Sequence, residues 1–339
     1  MMSIKLISLL ENILTTNSSL SLDPQQLSRF MLGTEGLEYF ENKKRALMAV
    51  ITLTQSDEIK ALLDLANQCA TDETLSFSIY PISTGQNWGY GTSQPAGLSK
   101  NIILVDLAKL ADIKHFDSEL GLVTIEPGVT QQQLGDYLQL NNHDYMVPAT
   151  GAGPDCSILA NALERGYGIT PYTDHFSAVT SIQGYWANGR PYQSAINELD
   201  TSNDKFVDKT FKWGLGPYLE GLFTQSNLGI VSQMTIRLAK KKADFTSFFI
   251  QMQDDTLLEK AVPLIRQVLQ DYEGIVGSIN LMDQRRLLSM FAKHPKGNEA
   301  DQVMDNHEIK KLAKESQAPS WTIVGSIYGS KGVVSVVQK

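Results

Sequence analysis

Apolar residues in 57–67 recur as Ile59, Leu62, Leu63 and Ala66, the i, i+3, i+4, i+7 spacing of one helical face, with Thr54 or Ser56 placed to cap its start. A second helical pattern, Leu134, Tyr137 and Leu138, follows Thr130-x-x-Gln133, the spacing of a capping box. Strand-like runs lie around these helices. Residues 77–82 form one, in which Pro81 argues against a regular central strand because it lacks the N–H of a ladder. Residues 101–106 and 121–126 are continuous apolar stretches of strand length. Residues 181–186 and 190–194 flank Asn188-Gly189, which predicts a hairpin because both residues tolerate positive φ. Residues 230–238 form the last strand of this half.

Ala239-Lys240-Lys241-Lys242-Ala243-Asp244 then interrupts the pattern, as a solvated connection between domains would. Beyond it the chain predicts a strand at 245–252, a helix at 257–270, a strand at 275–281, two helices, and a strand at 321–328. Val333, Val334 and Val337 begin an apolar face with nothing after it in the sequence to cover it and no helix C-cap signal. This half therefore reads as a domain cut partway. At the other end, Leu6–Leu10 follows Lys5 and is broken by Glu11. That is an amphipathic first helix rather than a secretory signal. The expectation is an α+β protein with a helical segment at 1–39, a main domain at 40–240 and a second, partial α+β domain at 245–339.

Composition narrows the function. The 339 residues carry 29 Lys and Arg against 37 Asp and Glu, a formal charge of −8. A nucleic-acid binder or a protein docked on an anionic membrane needs the opposite balance. Cys69 and Cys156 make no disulfide framework and no CxxC pair, which fits a cytoplasmic location. The five histidines stand singly, so zinc or another metal is not expected, and no G-x-S-x-G elbow or G-x-x-x-x-G-K-[ST] loop occurs. Of the histidines, only His175 has a motif-like setting.

What remains are glycine clusters at 83–91, 151–155, 166–168 and 229–231, where backbone N–H groups can converge on an anion. None of the G-x-G pairs is completed by the third glycine of a dinucleotide fold. Each cluster by itself also reads as a tight turn.

Three stretches carry a resemblance. Ser83-x-Gly85-x-Asn87-x-Gly89-Tyr90-Gly91 resembles the phosphate loop of flavoproteins in the vanillyl-alcohol oxidase and 4-cresol dehydrogenase family. Asn161-Ala162-Leu163-Glu164-Arg165-Gly166-Tyr167-Gly168, continuing through Thr170-Pro171-Tyr172 to Asp174-His175, resembles that family's N-x-x-[ED]-R-G-x-G-x-T-P-Y-G-[DE]-H signature. Trp213-Gly214-Leu215-Gly216-Pro217-Tyr218, continuing through Gly221-Leu222-Phe223 to Gly229-Ile230-Val231, is similar to its G-x-G-P-Y-x-x-G-L-F-x-Q-S-N-x-G-I-V stretch.

The resemblance implies a two-lobed FAD-binding domain of the PCMH type, followed by part of an α+β cap domain. The FAD pyrophosphate would rest on Ser83, Thr84, Gly85, Gln86, Asn87, Trp88, Gly89 and Gly91. Gly151, Gly153, Glu164, Arg165, Gly166, Gly168, Gly229, Ile230 and Val231 would line the rest of the cofactor. It further implies an oxidoreductase that removes a hydride from the benzylic or alcohol carbon of a small, phenolic substrate. Flavin N5 would accept the hydride, and oxygen or an electron-acceptor protein would take the electrons. Tyr90 falls on the family's phosphate-loop tyrosine, a hydrogen-bond donor to the substrate phenolate, and as a packing residue it would leave catalysis alone.

The family's oxidases carry an aspartate shortly after a Val-Pro pair. Here Val147-Pro148 leads into a longer segment that places Asp155 further on, as a base or as a turn residue. That departure keeps open a hydroxy-acid or sugar oxidase on the same FAD domain, and the missing closing elements of the partial second domain keep open an inactive flavin-binding fragment. Homo-oligomerisation is left open as well. His294 and His307 read as surface residues.

Overall fold

The computed structural model describes residues 2–30, 47–87, 101–168, 170–194, 196, 207–214, 216–297 and 303–339. The chain divides into two compact units, Met1–Gly168 with Asp174–Lys240, and Ile169–Thr173 with Lys241–Lys339.

The first unit begins with α1 (Ile4–Ile13), capped by the Ser3 hydroxyl and burying Leu6 and Leu10. It continues through β1 (Ser19–Ser21), α2 (Pro24–Arg29), β2 (Leu47–Thr52), α3 (Asp57–Cys69), β3 (Ser78–Ile82) and β4 (Ile102–Asp106). These strands form one sheet in the order β1-β2-β4-β3, with β2 and β3 parallel to β4 and β1 antiparallel to β2. Pro81 does sit on an edge strand. The continuous apolar run Ile103–Val105 is central and fully buried, as a strand covered on both faces must be. Residues 19–21, inside the segment expected to be helical, are a strand instead.

The apolar face of α3 packs on this sheet with α1, through Ile59, Leu62 and Leu63 against Leu6, Ile51 and Ile103. Ser56 precedes α3 but makes no side-chain cap. Its place is taken by Glu58, a buried carboxylate that accepts the N–H groups of Thr15, Thr54 and Gln55 and the Ser18 hydroxyl at 2.7–3.2 Å. Burial works to raise its pKa, yet the bonds from Thr15, Ser18 and Gln55 outweigh it and hold the carboxyl below its ordinary value. One charge thereby ties the N-terminal segment to the start of α3.

The second lobe of this unit runs through β5 (Ile113–Asp117), β6 (Leu122–Ile125), α4 (Gln131–Leu140), β7 (Tyr145–Met146) and α5 (Ile158–Leu163). It continues with β8 (Val179–Trp186), β9 (Pro191–Gln193), α6 (Val207–Thr210), β10 (Gly229–Arg237) and β11 (Ala239–Lys240). Its antiparallel sheet has the order β5-β6-β10-β8-β9.

The hairpin expected around Asn188-Gly189 forms, with one difference in its turn, and two further local expectations need correction. The hairpin after β8 is a three-residue loop closed by Trp186 and Arg190. Of Asn188 and Gly189 only the glycine has positive φ, at 79°. At the start of α4 the Thr130 hydroxyl accepts from Gln133 N at 3.1 Å, but the Gln133 side chain donates to the Ala111 carbonyl, so the capping box is half made. The charged run at 239–244 is also not wholly a solvated connection, because Ala239–Lys240 pairs with Tyr145–Met146. The two lobes meet where Ile230 and Tyr185 pack on the α3 core and Asn67 Nδ2 donates to the Ala187 carbonyl at 2.8 Å.

The second unit contains β12 (Asp244–Met252), α7 (Leu258–Asp271), β13 (Asn280–Asp283), α8 (Gln284–Phe291), α9 (Asn306–Glu315), β14 (Trp321–Gly329) and α10 (Lys331–Val337). Its strands pair antiparallel in the order β12-β14-β13. The strand expected at 275–281 shrinks to β13, with Val276 making a single bridge to Ile327. In α10, Val334 is 1% exposed and packs with Val276 and Ile327, and Val337 joins them. The apolar face read as uncovered is therefore largely covered by its own unit, which corrects that expectation. Val333 and Val336 are the exposed valines of this helix.

Candidate functional site

The described residues of the first and third motif segments lie in the first unit, as does the second segment apart from Ile169–Thr173, which belongs to the second unit. The first begins where β3 ends. Ser83 is buried, Gly85 has φ 68°, and Gln86 and Asn87 complete its described part. Three parallel strands end their carboxyl termini here, the side of an open α/β sheet where ligands bind. The Thr84 hydroxyl oxygen is buried with no partner among the described residues. A phosphate oxygen would satisfy it, so the residues present fit a pyrophosphate cofactor. Trp88, Gly89, Tyr90 and Gly91 lie outside the described residues. Beside the loop, Asp106 ends β4, accepts from Ala108 N at 2.8 Å, and has its pKa raised by burial. Nothing in the sequence marked it, since a carboxylate at a strand end is common.

The second segment follows α5, whose Ser157 cap accepts from Ala160 N and donates to the Pro127 carbonyl. After the helix Arg165 adopts φ 55°, a left-handed position usually given to glycine. Its guanidinium pairs with Asp174 at 3.0 Å and lies 5.4 Å from the Phe176 ring centroid. Gly166 and Gly168 allow close approach. A Cβ at Gly166 would fall 2.2 Å from Asn161 Nδ2, and one at Gly168 would fall 2.1 Å from the Ala149 carbonyl oxygen. Glu164 is exposed.

His175 anchors this turn. It is 2% exposed, its Nδ1 is 2.6 Å from Asn161 Oδ1, and its Nε2 has no partner among the described residues. Burial pushes its pKa down to about 4, only partly offset by the Asp174 carboxylate, so the ring is neutral at pH 7. The unfolded chain takes up a proton near pH 6.5 and the folded chain does not until about pH 4. Stability from this residue is constant above pH 6.5 and falls as pH drops toward 4. Between pH 7 and pH 5 the loss is expected to be roughly 2 kcal/mol. Urea unfolding of wild type and His175→Gln at both pH values should show the variant losing less stability on acidification.

The third segment meets the second. Lys212 donates to the Ser177 carbonyl at 3.1 Å, and its ammonium lies 5.0–5.8 Å from the ring centroids of Tyr218, Trp213 and Phe176. Burial lowers its pKa. Behind it, the Tyr192 hydroxyl bonds to buried Glu220, and burial followed by that carboxylate raises the tyrosine's pKa. Sequence reasoning missed Lys212 and Glu220, which have no spacing signature. Gly229 serves strand packing, since a Cβ there would fall 2.4 Å from the Tyr185 carbonyl oxygen. Ile230 and Val231 are buried in β10.

Between these segments runs the loop that follows Val147-Pro148. Gly151 and Asp155 are exposed on it, and Gly153 has φ 99°. Among the described residues no group of His, Cys, Asp and Glu could hold a metal ion, and no helix is long and apolar enough to cross a membrane.

Comparison with known proteins places residues 48–193 in the family described as FAD binding domain. The chain is 33% identical over 248 residues to 1'-carboxy-chondrochloren decarboxylase of Chondromyces crocatus, covering 73% of this chain and 43% of that protein. It is 29% identical over 306 residues to the 4-cresol dehydrogenase [hydroxylating] flavoprotein subunit of Pseudomonas putida, covering 87% and 55%. Among solved structures, p-cresol methylhydroxylase with substrate bound superposes with a TM-score of 0.79 at 26% identity, over 98% of this chain and 62% of that one. The chain thus spans about half the length of the curated relatives it matches.

Proposed function

Since this chain carries the FAD-binding domain of the p-cresol methylhydroxylase-type flavoproteins, we propose that its protein is an FAD-dependent oxidoreductase acting on a small phenolic substrate. The hydride leaves from a benzylic or alcohol carbon, and bound FAD supplies the two-electron acceptor. The backbone of Ser83–Asn87 and the Thr84 hydroxyl hold the pyrophosphate. The Glu164–Gly168 turn, kept in shape by His175, lines the cofactor further along. Tyr90 donates to the phenolate oxygen, whose negative charge drives the hydride out. Asp155 takes up the proton or orients water. Oxygen or an electron-acceptor protein completes the cycle.

The observation that carries this reading is the similarity over 306 residues to a protein named for oxidation of 4-cresol. Anaerobic mixing of the FAD-loaded protein with 4-alkylphenols, hydroxy acids and sugars tests it. Bleaching of the visible flavin band by the phenols supports the proposal. Bleaching by hydroxy acids or sugars alone overturns the substrate class, and no bleaching by any of them leaves a flavin binder without this activity.

One observation favours a second reading. No carboxylate directly follows Val147-Pro148, and the relative of higher identity is named a decarboxylase. A carboxylated phenol, mixed anaerobically with the FAD-loaded protein in the same way, would then lose CO2 and pass two electrons to the bound flavin, which a carbonate assay together with flavin bleaching detects.

A further inference from the structure

The geometry points to Gln131 as the residue that positions the Thr150–Asp155 loop for cofactor binding. This rests on the reading that the loop lines the FAD site. Gln131 opens α4, and its side chain is buried, turned toward the loop rather than toward solvent. Its Oε1 accepts from Thr150 N at 2.7 Å, and its Nε2 donates to the Gly153 carbonyl at 2.7 Å. A backbone N–H can only donate and a carbonyl can only accept, so these two bonds fix the amide in one orientation. The main chain adds two more bonds, Gln131 N to the Cys156 carbonyl at 3.0 Å and Gln132 N to the Pro154 carbonyl at 2.9 Å.

The loop is thus strapped across the start of α4 at both of its ends. Between the straps, Ala152 N donates to the Thr150 hydroxyl at 3.2 Å, and Gly151 is exposed. Gly153 is held at φ 99°, and a Cβ there would meet no atom within 4 Å. Glycines in such conformations are flexible unless something outside the loop restrains them. Among the described side chains, Gln131 bonds to both ends of the Thr150–Gly153 span. It acts through the loop backbone as a positioning residue.

Two substitutions separate this role from a general one. Gln131→Met keeps the length and removes both bonds at every pH. Gln131→Glu keeps the acceptor for Thr150 N but sets a carboxylate oxygen against the Gly153 carbonyl, unless that carboxyl is protonated. Burial and nearby Asp155 both favour protonation, while Cys156, its thiol pKa raised by burial, stays neutral in the range used.

FAD affinity is read by quenching of flavin fluorescence at pH 5.5 and pH 8, with Tm and far-UV circular dichroism recorded on the same samples. We expect Gln131→Met to weaken FAD binding roughly tenfold at both pH values, the loss that follows when part-buried backbone groups are left unpaired. Gln131→Glu should match Gln131→Met at pH 8 and recover to within about threefold of wild type at pH 5.5, where the carboxyl donates again. Gln132→Ala, whose side chain bonds to Asp136 and not to the loop, should bind as wild type does. Equal FAD affinity of wild type and both Gln131 variants would overturn the inference. So would a loss of Tm and helix signal that accounts for the affinity change without any pH dependence in Gln131→Glu. Failure of wild type itself to bind FAD would instead defeat the cofactor reading, and this inference with it.

Discussion

Gly168→Ala should lower the unfolding free energy by roughly 2–3 kcal/mol and strip the protein of most of its FAD. The added carbon would sit 2.1 Å from the Ala149 carbonyl oxygen and 3.0 Å from His175 Nε2. Neither neighbour can swing aside. One is main chain, and the other is a buried ring tied to Asn161 at 2.6 Å. Relief therefore requires separating the turn after α5 from the segment that leads into the Thr150–Asp155 loop, and both segments are proposed to line the cofactor. Gly153→Ala provides the contrast. There the Cβ would meet empty space, and only the φ of 99° opposes it. A left-handed alanine costs about 1–2 kcal/mol, without displacing any other segment. Urea unfolding and the FAD-to-protein ratio after purification check both variants. Equal loss of FAD in the two would show that close approach at Gly168 is not what the cofactor requires.

The contrast between these glycines also shows what the sequence can and cannot convey. Both stand in G-x-G patterns, Gly151-x-Gly153 and Gly166-x-Gly168, and the pattern alone does not distinguish a positive φ from a close approach. Periodicity was a better guide where burial is one-sided or complete. The face of α3 and the buried run Ile102–Val105 of β4 follow from it, while the edge position of β3 follows from Pro81. Short or polar strands escaped it. The Ser-Leu-Ser of β1 holds its place through three pairings to β2 rather than through an apolar pattern of its own. In β5, Lys114 and His115 interrupt the alternation.

Much of the site was legible only as ordered motifs. The structure then adds the partners that no spacing encodes. Arg165 and Asp174 from one motif, with Phe176 just after it, meet Lys212 and Tyr218 from around the next through ring faces and an ion pair. Glu58 and Gln131 are polar residues on helical stretches that would ordinarily face water. Their burial is decided by loops arriving from elsewhere in the chain, Thr15–Ser18 in one case and Thr150–Gly153 in the other.

Tyr90→Phe should slow flavin reduction by a phenolic substrate by roughly a hundredfold or more, the effect of removing one donor to a developing oxyanion, about 2.7–4 kcal/mol. The residue lies outside the described part of the structure, so the prediction stands on the match of Ser83–Gly91 to the family's phosphate loop. Phenylalanine keeps the ring and removes only the hydroxyl, which separates a donor from a packing residue. The measurement is stopped-flow bleaching of the flavin band under anaerobic conditions, on protein shown to carry a full complement of FAD, so that neither re-oxidation nor cofactor loss enters the rate. If the hydroxyl stabilises phenolate, the variant should also need a higher pH to reach its maximal rate, because the substrate must then ionise without help. Asp155→Asn is the companion test. An asparagine cannot take up a proton, so a base at this position would lose its limb of the pH–rate profile, whereas a turn residue on an exposed loop would leave the profile unchanged. A Tyr90→Phe variant that reduces its flavin at the wild-type rate and with the wild-type pH dependence would remove the phenolate site from this loop. The substrate would then have to be sought among the hydroxy acids and sugars.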